Sequence, residues 1–267
     1  MIILYLRFAE MKLKTLISAF FLPFILASCG QDDERAEGLI NINLIDAPGD
    51  FDQAWVEVLG AEVVINGTAH FVDYVTARKM VNVSDLVNGV SLQVGRRTVP
   101  VGQMTEITLL MGEEIYVIRN GQRVNMQFLN SDSRRLTLPA DLTIEGGLSY
   151  DYYIDLDMSR SITRAAAEIY TFDPVGRAFL SRGMTAISGT VLPFQAAPYI
   201  FAVREGDTLG TVTNLATGQF QIRGLTQGEY QLLIQPRSGF ADTLINFPVF
   251  IDSTNALGEI NLRAIAP

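Results

Sequence analysis

The sequence predicts an all-β protein, and three observations lead to that prediction. Apolar and polar residues alternate along Ile40–Leu44 at the two-residue period of a β-strand. The dipeptides Asn66-Gly67 and Asn120-Gly121 separate such strand-like runs, and Asn-Gly is the favoured sequence of a two-residue hairpin turn. Only the segment 159–169 has helical character, and it lacks the wide apolar stripe of a packed helix, so we expect one helical turn there.

The predicted elements follow one another in order along the chain. Asp46–Gly49 has the composition of a turn and ends the first strand. The Val-rich strand that follows ends at Asn66-Gly67, and Asn120-Gly121 joins the two strands of the clearest hairpin. Gly146-Gly147 separates the last two strands of this part, and many short strands at even spacing indicate a sandwich or barrel. The predicted strands are 40–44, 54–65, 81–83, 91–94, 107–111, 114–119, 122–128, 142–144 and 150–158.

The N-terminus has the features of a secretory signal. Lys12 and Lys14 precede an apolar run, Leu16–Ala27, that ends in small residues. The run is too short to span a bilayer as a permanent helix, so we expect it to be cleaved. Translation could begin at Met1 or at Met11, because both precede the charged segment.

The apolar run closes at Leu26-Ala27-Ser28-Cys29, which contains the single cysteine of the chain. This pattern resembles the lipobox of bacterial lipoproteins. The resemblance implies a signal peptide at 1–28, a diacylglycerol on the Cys29 thiol and an acylated amine, followed by a tether over 29–38. Acyl chains would hold the protein in its membrane, since each buried methylene contributes about 0.8 kcal/mol. The alternative is a free thiol without a role.

The acidic run Asp32-Asp33-Glu34 follows the cysteine and has two interpretations. It resembles the surface-export signals of some Gram-negative lipoproteins, which implies a lipid-anchored protein of the outer membrane, displayed on the cell surface. The other interpretation is a solvated, charged tether. In that case the protein could equally face the periplasm.

Composition and charge exclude two kinds of function. The formal net charge is −9, and it becomes −11 without residues 1–28, which carry three basic residues and one acidic residue. An acidic protein is a poor electrostatic match for nucleic acid, so we expect no nucleic-acid partner. With Cys29 acylated, no thiol remains for disulfides or for thiol catalysis.

The sequence contains no motif of a common catalytic centre. His70 is the single histidine, which excludes a multi-histidine metal site and a histidine pair for acid–base chemistry. Nucleophile-elbow, dinucleotide-binding and Walker-type motifs do not occur. Glu113 and Glu114 are adjacent, and neighbours on a strand point to opposite faces, so they are not expected to flank one glycosidic bond. We expect neither enzymatic activity nor a cofactor.

Acidic residues near the end of the first strand-rich half could bind a metal ion. If 150–158 is one strand, Asp151, Asp155 and Asp157 share a face with Tyr153. Calcium prefers oxygen ligands, so these three aspartates are candidate calcium ligands. Together with Tyr153 they could instead bind a sugar. The alternative is the solvated face of a sheet. A second cluster consists of Asp46, Asp50 and Asp52, and the turn preference of aspartate explains it better than a binding role does.

Four motifs follow one another between residues 44 and 162. They are Leu44–Pro48, Trp55–Val58, Gly146–Asp151 and Asp155–Ile162. Together they resemble a domain of unknown function, number 4382, which occurs next to lipoprotein signals in bacterial envelope proteins. The resemblance implies one β domain over 39–181 and brings no reaction, because the family has none assigned.

The C-terminal part carries a second set of motifs. They are 187–191, 218–222, 224–225, 228–230 and 239–240. Together they resemble the carboxypeptidase regulatory-like, transthyretin-related sandwich, which implies a β-sandwich over 187–264 and no peptidase activity. Gly218 and Gly228 would let the chain turn sharply before Phe220 and Tyr230 enter the core. Asn214 stands near the position where that family usually has an aspartate.

The predicted architecture is therefore two β-sandwich-like domains in tandem after a cleaved lipoprotein signal peptide. Three functions are compatible with it. The first is a noncatalytic surface lipoprotein that binds a protein or glycan, mediates adhesion or builds the envelope. The second is a periplasm-facing accessory partner of a transport or assembly complex. The third is a polysaccharide or peptide hydrolase that uses the carboxylates.

Overall fold

The fold is built of β-strands, which confirms the predicted class. The computed structural model describes residues 36–47, 51–74, 79–166, 169–182, 185–251 and 255–265. The predicted signal peptide at 1–28, Cys29 and the acidic run after it lie outside these ranges. In the part that is described, none of the helices reaches the length and apolarity required to cross a bilayer.

The N-terminal sandwich, residues 37–180, consists of two facing sheets. Its strands are β1 (Glu37–Ala47), β2 (Gln53–Ile65), β3 (Thr68–Asp73), β4 (Met80–Asn82), β5 (Leu92–Pro100), β6 (Gly102–Arg119), β7 (Gln122–Phe128), β8 (Arg135–Ile144), β9 (Ser149–Asp157), β10 (Ile162–Ala166), β11 (Ile169–Phe172) and β12 (Gly176–Leu180). One sheet has the order β12-β9-β1-β5, and the other follows the path β10-β11-β7-β6-β2-β3, with β4 and β8 added on β2 and β6.

Strand β1 occupies a central position in the smaller sheet. It pairs antiparallel with β5 and parallel with β9. Its alternating residues Ile40, Ile42 and Leu44 are fully buried in the core between the two sheets. The predicted two-residue period is thus confirmed, and burial of this face fixes the register of the strand.

Both predicted Asn-Gly hairpins are present. Asn66 and Gly67 have φ of 49° and 77°, and Asn120 and Gly121 have φ of 50° and 72°. Two successive positive φ angles define a type I′ turn, which matches the twist of the strands it joins. These turns link β2 to β3 and β6 to β7.

A β-bulge at Glu113 and Glu114 interrupts β6. Val56–Val58 of β2 lies opposite the longer segment Met111–Ile115. Glu57 Oε2 accepts hydrogen bonds from the two backbone amides of the bulge, at 3.0 and 3.3 Å. The strict alternation assumed for the two glutamates does not hold here, because the extra residues break the pairing.

The segment expected to form one helical turn does so. Helix α1 (Met158–Ser161) begins at Asp157, whose Oδ1 accepts a hydrogen bond from the Arg160 amide at 2.9 Å. An aspartate at this position satisfies an amide that has no partner within the helix. The chain then returns to strand in β10.

The C-terminal sandwich, residues 185–261, also has two sheets. Its strands are β13 (Thr185–Leu192), β14 (Tyr199–Arg204), β15 (Asp207–Val212), β16 (Gln219–Leu225), β17 (Gly228–Gln235), β18 (Thr243–Val249) and β19 (Asn255–Asn261). The sheets have the orders β16-β13-β19 and β15-β14-β17-β18. Gly218 and Gly228 have φ of 73° and 152°, and Phe220 and Tyr230 that follow them are buried, as expected.

Each sandwich has its own core. One cluster of buried apolar side chains extends from Ile40 to Phe172 and the other from Ile187 to Leu262. Residues Glu37–Pro267 nevertheless form a single compact unit. The boundaries 39–181 and 187–264 stay predictions.

Candidate binding groove between the two sandwiches

A turn of the N-terminal sandwich reaches the C-terminal sandwich. Asn88 and Gly89 have φ of 56° and 81°, so this third Asn-Gly dipeptide also forms a tight turn. A Cβ on Gly89 would lie 1.9 Å from Gln221 Oε1, at the end of a flexible side chain of β16, and the positive φ favours glycine at this position. The sequence analysis did not single out this dipeptide, although it carries the same signal as the two hairpin turns.

Arg177 of β12 joins the two sandwiches. Its Nε lies 3.0 Å from Asp155 Oδ2 on the neighbouring strand β9. Its Nη1 and Nη2 donate to the carbonyl oxygens of Gly224 and Arg223 in β16, at 2.9 and 3.0 Å. One guanidinium thus uses three of its donors to tie a carboxylate of one sandwich to the backbone of the other.

Close packing surrounds this bridge. Phe179 stacks on Tyr153 with ring centroids 5.6 Å apart, and Arg177 lies over the Phe179 ring at 5.0 Å. Gly224 has φ of 75°, and a Cβ there would lie 2.6 Å from the Phe179 ring. The positive φ and the lack of room both require glycine.

Asp155 is the buried charge of the interface. It is 9% exposed, and its Oδ1 has no hydrogen-bond partner in the described protein. Burial raises the pKa of the Asp155 carboxyl above its ordinary value, while the charge and hydrogen bond of Arg177 act in the opposite direction. The carboxylate lines a cavity of about 20 Å³ together with Asn88, Thr211 and Gln221. That volume can hold one water molecule.

Two larger hollows open on either side of the Asn88 turn, and we call them together the inter-sandwich groove. Their volumes are about 540 and 380 Å³, which is the size range of small-ligand sites. Asn88, Val90 and Asn214 line both hollows. The groove is therefore shared by the two sandwiches.

The lining of the larger hollow combines apolar surface with six uncharged hydrogen-bonding side chains. They are the side chains of Asn88, Ser188, Thr190, Asn214, Gln219 and Gln221, with Glu259 as the charged member of the lining. Amides and hydroxyls of this kind donate and accept hydrogen bonds without requiring a charged ligand.

The smaller hollow has a different lining. It contains the charged residues Asp52, Asp85 and Arg237, and the buried Thr213, whose Oγ1 has no hydrogen-bond partner among the described residues. Leu215, at 67% exposure, lies at its edge. A buried hydroxyl without a partner is costly.

Asn214 shapes the rim of both hollows. Its Oδ1 accepts hydrogen bonds from the amides of Ala216 and Thr217, at 2.9 and 3.1 Å. The amide side chain thereby holds the turn that leads to Gly218 and presents Leu215 outward.

The three predicted calcium ligands have separate partners. Asp151 is exposed and accepts a hydrogen bond from Asn41 Nδ2 at 2.8 Å, Asp155 pairs with Arg177, and Asp157 begins α1. Within the described ranges, no group of three or more His, Cys, Asp or Glu residues could hold a metal ion. The C-terminal sandwich covers the sheet face at Asp155, so that part of the face is not solvated.

The remaining predicted positions are simpler. Cys29 and Asp50 lie outside the described residues. Asp52 Oδ2 accepts a hydrogen bond from the Gly121 amide at 3.1 Å. His70 lies in β3 opposite Val63. Sequence reasoning missed Arg177, because an arginine between Gly176 and Ala178 carries no signal of what it will contact.

Comparison with known proteins gives one family and several distant structures. The family model "Domain of unknown function (DUF4382)" matches residues 37–174. No curated protein matches the chain.

Three solved structures are similar at low identity. The Bacillus anthracis TIE protein is 10% identical, with a TM-score of 0.27 over 88% of this chain and 41% of that one. The minor pilin GBS52 of Streptococcus agalactiae is 8% identical, with a TM-score of 0.24 and coverage of 85% and 97%. A C-terminal fragment of the pilus adhesin SpaC from Lactobacillus rhamnosus GG is 10% identical, with a TM-score of 0.26 and coverage of 86% and 98%. The chain spans about two-fifths of the Bacillus anthracis protein.

Proposed function

The chain belongs to the DUF4382 family, and from that starting point we propose that it is a lipid-anchored, noncatalytic binding module of the bacterial cell surface. Lipid on Cys29 would hold it in the outer membrane, and the inter-sandwich groove would take its ligand. The observation that carries the proposal is a ligand-sized groove whose two walls come from different sandwiches and are tied together by Arg177.

The lining of the groove favours a glycan as the ligand. The six amide and hydroxyl side chains of the larger hollow can exchange hydrogen bonds with the hydroxyls of a neutral sugar. Val90, at 50% exposure, adds apolar surface at the point where the two hollows meet. A ligand pocket commonly combines apolar walls with a few polar groups that set orientation.

The anchor and the display can be tested on intact cells. We expect the wild-type protein to fractionate with the outer membrane and to be digested by proteinase K added to whole cells. Cys29→Ala should remove the protein from the outer-membrane fraction, because the acyl chains that would hold it there are not attached. Immunoblots of the fractions before and after digestion provide the measurement.

A periplasmic protein of known location serves as the control for an intact outer membrane. If the wild-type protein resists digestion until the outer membrane is broken, the display part of the proposal fails and the periplasm-facing accessory role takes its place. If Cys29→Ala remains with the membrane, lipidation is not the anchor.

The groove can be tested with neutral polysaccharides. We expect the purified protein to be retarded in native gels that contain dextran, mannan, xylan or starch, by at least one of the four. Val90→Arg should abolish the retardation, because the longer charged side chain would occupy the junction of the two hollows.

Leu148→Arg is the matched control, since Leu148 is 41% exposed and does not line the groove. Equal retardation of the two variants would place binding elsewhere on the protein. Unchanged mobility of the wild type with all four polymers would contradict a neutral glycan as the ligand.

A further inference from the structure

The sheet β15-β14-β17-β18 has an apolar outer face. In β14, Ile200 and Ala202 are fully buried and point into the core. The alternate residues Tyr199, Phe201 and Val203 therefore point outward, because successive side chains of a strand lie on opposite faces. A strand that is apolar on both sides is typical of a sheet covered on both sides.

The apolar surface continues across the sheet. Phe201 pairs in register with Gly210 on one side and Leu233 on the other, and Leu233 pairs with Leu244. Leu244 is 59% exposed. We call Tyr199, Phe201, Val203, Leu233 and Leu244 the apolar stripe. The first four of these residues are half-buried and Leu244 is exposed. A contiguous apolar surface of this kind is typical of an interaction site.

The outward residues of β17 and its continuation carry opposite charges at the two ends. Tyr230, Leu232 and Ile234 are buried, so Glu229, Gln231, Leu233 and Gln235 point outward. Arg237 follows the strand after Pro236 and completes the set. Glu229 and Arg237 are both exposed. The Arg237 guanidinium lies on the outer face, 5.2 Å from the centroid of the Tyr199 ring.

This row of outward residues is complementary to the same row of a second copy that runs in the opposite direction. Leu233 is the middle of the set, an amide lies on each side of it, and an acid and a base stand at the ends. Consider a two-fold axis that is perpendicular to the strands and passes along the cross-strand row of Phe201, Leu233 and Leu244. Rotation about this axis places a second copy face to face with the first, with its strands in the opposite direction. It brings Glu229 opposite the Arg237 position of a second copy.

We propose that this face binds a second copy of the chain in a two-fold symmetric dimer. On the axis, each residue of the central row packs against its own symmetry mate. Beside the axis, Tyr199 lies opposite Val203, and Gln235 lies opposite Gln231. Arg237 pairs with Glu229 twice, once at each end of the interface.

Geometry and charge together favour a second copy over an unrelated partner. Closed homodimers use one self-complementary patch on both subunits, and two sheets that pack face to face keep their strands within about 30° of each other. In this arrangement the apolar residues of the stripe contact apolar residues, Gln235 contacts Gln231, and Arg237 contacts Glu229. Arg237 also lines the smaller hollow of the inter-sandwich groove, so the dimer interface adjoins that hollow, and oligomeric state and polysaccharide binding are measured separately.

Charge reversal tests the proposed register. In sedimentation velocity of the full chain in mild detergent, we expect the wild type to have twice the monomer mass. Glu229→Arg places two arginines together and Arg237→Glu places two glutamates together. Each single reversal should weaken the dimer about tenfold or more, since like charges in contact are strongly unfavourable. The double variant Glu229→Arg/Arg237→Glu should restore the dimer, because the opposite charges meet again.

Two further variants complete the experiment. Leu244→Glu should give a monomer, because it places two carboxylates on the axis, and its exposed position leaves the fold intact as judged by circular dichroism. Arg96→Glu, at an exposed residue of β5 in the N-terminal sandwich, is the matched control and should stay dimeric. A monomeric wild type, or a double reversal that is no better than the single ones, overturns the proposal.

Discussion

Replacing Arg177 by methionine should lower the free energy of unfolding by about 3–5 kcal/mol, the usual cost of removing one partner from a buried ion pair. The substitution leaves the Asp155 carboxylate buried without its counter-ion, and it also leaves the carbonyls of Gly224 and Arg223 without these donors. Methionine keeps most of the apolar length of the arginine, so the loss reports the guanidinium contacts. Denaturant titration of the purified protein provides the measurement.

The effect of Arg177→Met should depend on pH. Burial already raises the pKa of the Asp155 carboxyl, and loss of Arg177 removes the two influences that oppose the rise. A carboxyl with a raised pKa in the folded state contributes most below its unfolded pKa of about 3.9, and that contribution disappears as the pH rises through the folded pKa. The destabilisation should therefore be small in acid, where the carboxyl is neutral, and larger at neutral pH.

Two control variants separate the pair from a general loss of charge. Arg96→Met removes an exposed arginine and should change the stability by less than about 0.5 kcal/mol. The double variant Asp155→Asn/Arg177→Met should be more stable than Arg177→Met alone, because no buried charge remains unpaired. An effect of Arg177→Met that is as small as that of Arg96→Met would show that the bridge contributes little.

Replacing Gly218 by alanine should destabilise the C-terminal sandwich by about 2–5 kcal/mol. Gly218 has φ of 73°, which costs other residues about 1–2 kcal/mol. A Cβ at this position would also lie 2.2 Å from the carbonyl oxygen of Val191. The backbone cannot move away easily, because the Gly218 carbonyl accepts a hydrogen bond from the Val191 amide at 2.9 Å.

Gly206→Ala is the matched control for the second prediction. Gly206 has φ of 88°, and no atom lies within 4 Å of a Cβ built on it. Thermal or denaturant unfolding should show only the backbone cost there, and the difference between the two variants measures the collision with Val191. Equal losses would show that the turn at Gly218 relaxes without cost.

The local features of the fold could be read from residue patterns. The hairpin turns at Asn66-Gly67 and Asn120-Gly121 follow from the positive φ angles that Asn and Gly tolerate. The helical turn that begins at Asp157 was expected from a segment too short and too narrow in its apolar stripe for a longer helix. The bulge in β6 was not predicted, because it depends on Glu57 of another strand accepting two amides.

The inter-sandwich groove could not be predicted from residue patterns. Asp155 belonged to the predicted aspartate face, but its counter-ion Arg177 lies on β12 and its cover comes from β16, more than sixty residues further along the chain. Strand alternation places side chains on a face and does not say which other element covers that face. The candidate ligand-binding residues therefore differ from the candidate calcium ligands.

The amino-acid sequence alone determined that the chain forms β-strands, where its tight turns lie, and which side of strands such as β1 is apolar, because each of these depends on steric and hydrophobic preferences of neighbouring residues. Only the tertiary structure decided that β1 pairs with β9, that a third Asn-Gly turn touches a second sandwich, and that Asp155 is buried. Those features are contacts between segments far apart in the chain, which the steric and hydrophobic preferences of neighbouring residues do not specify.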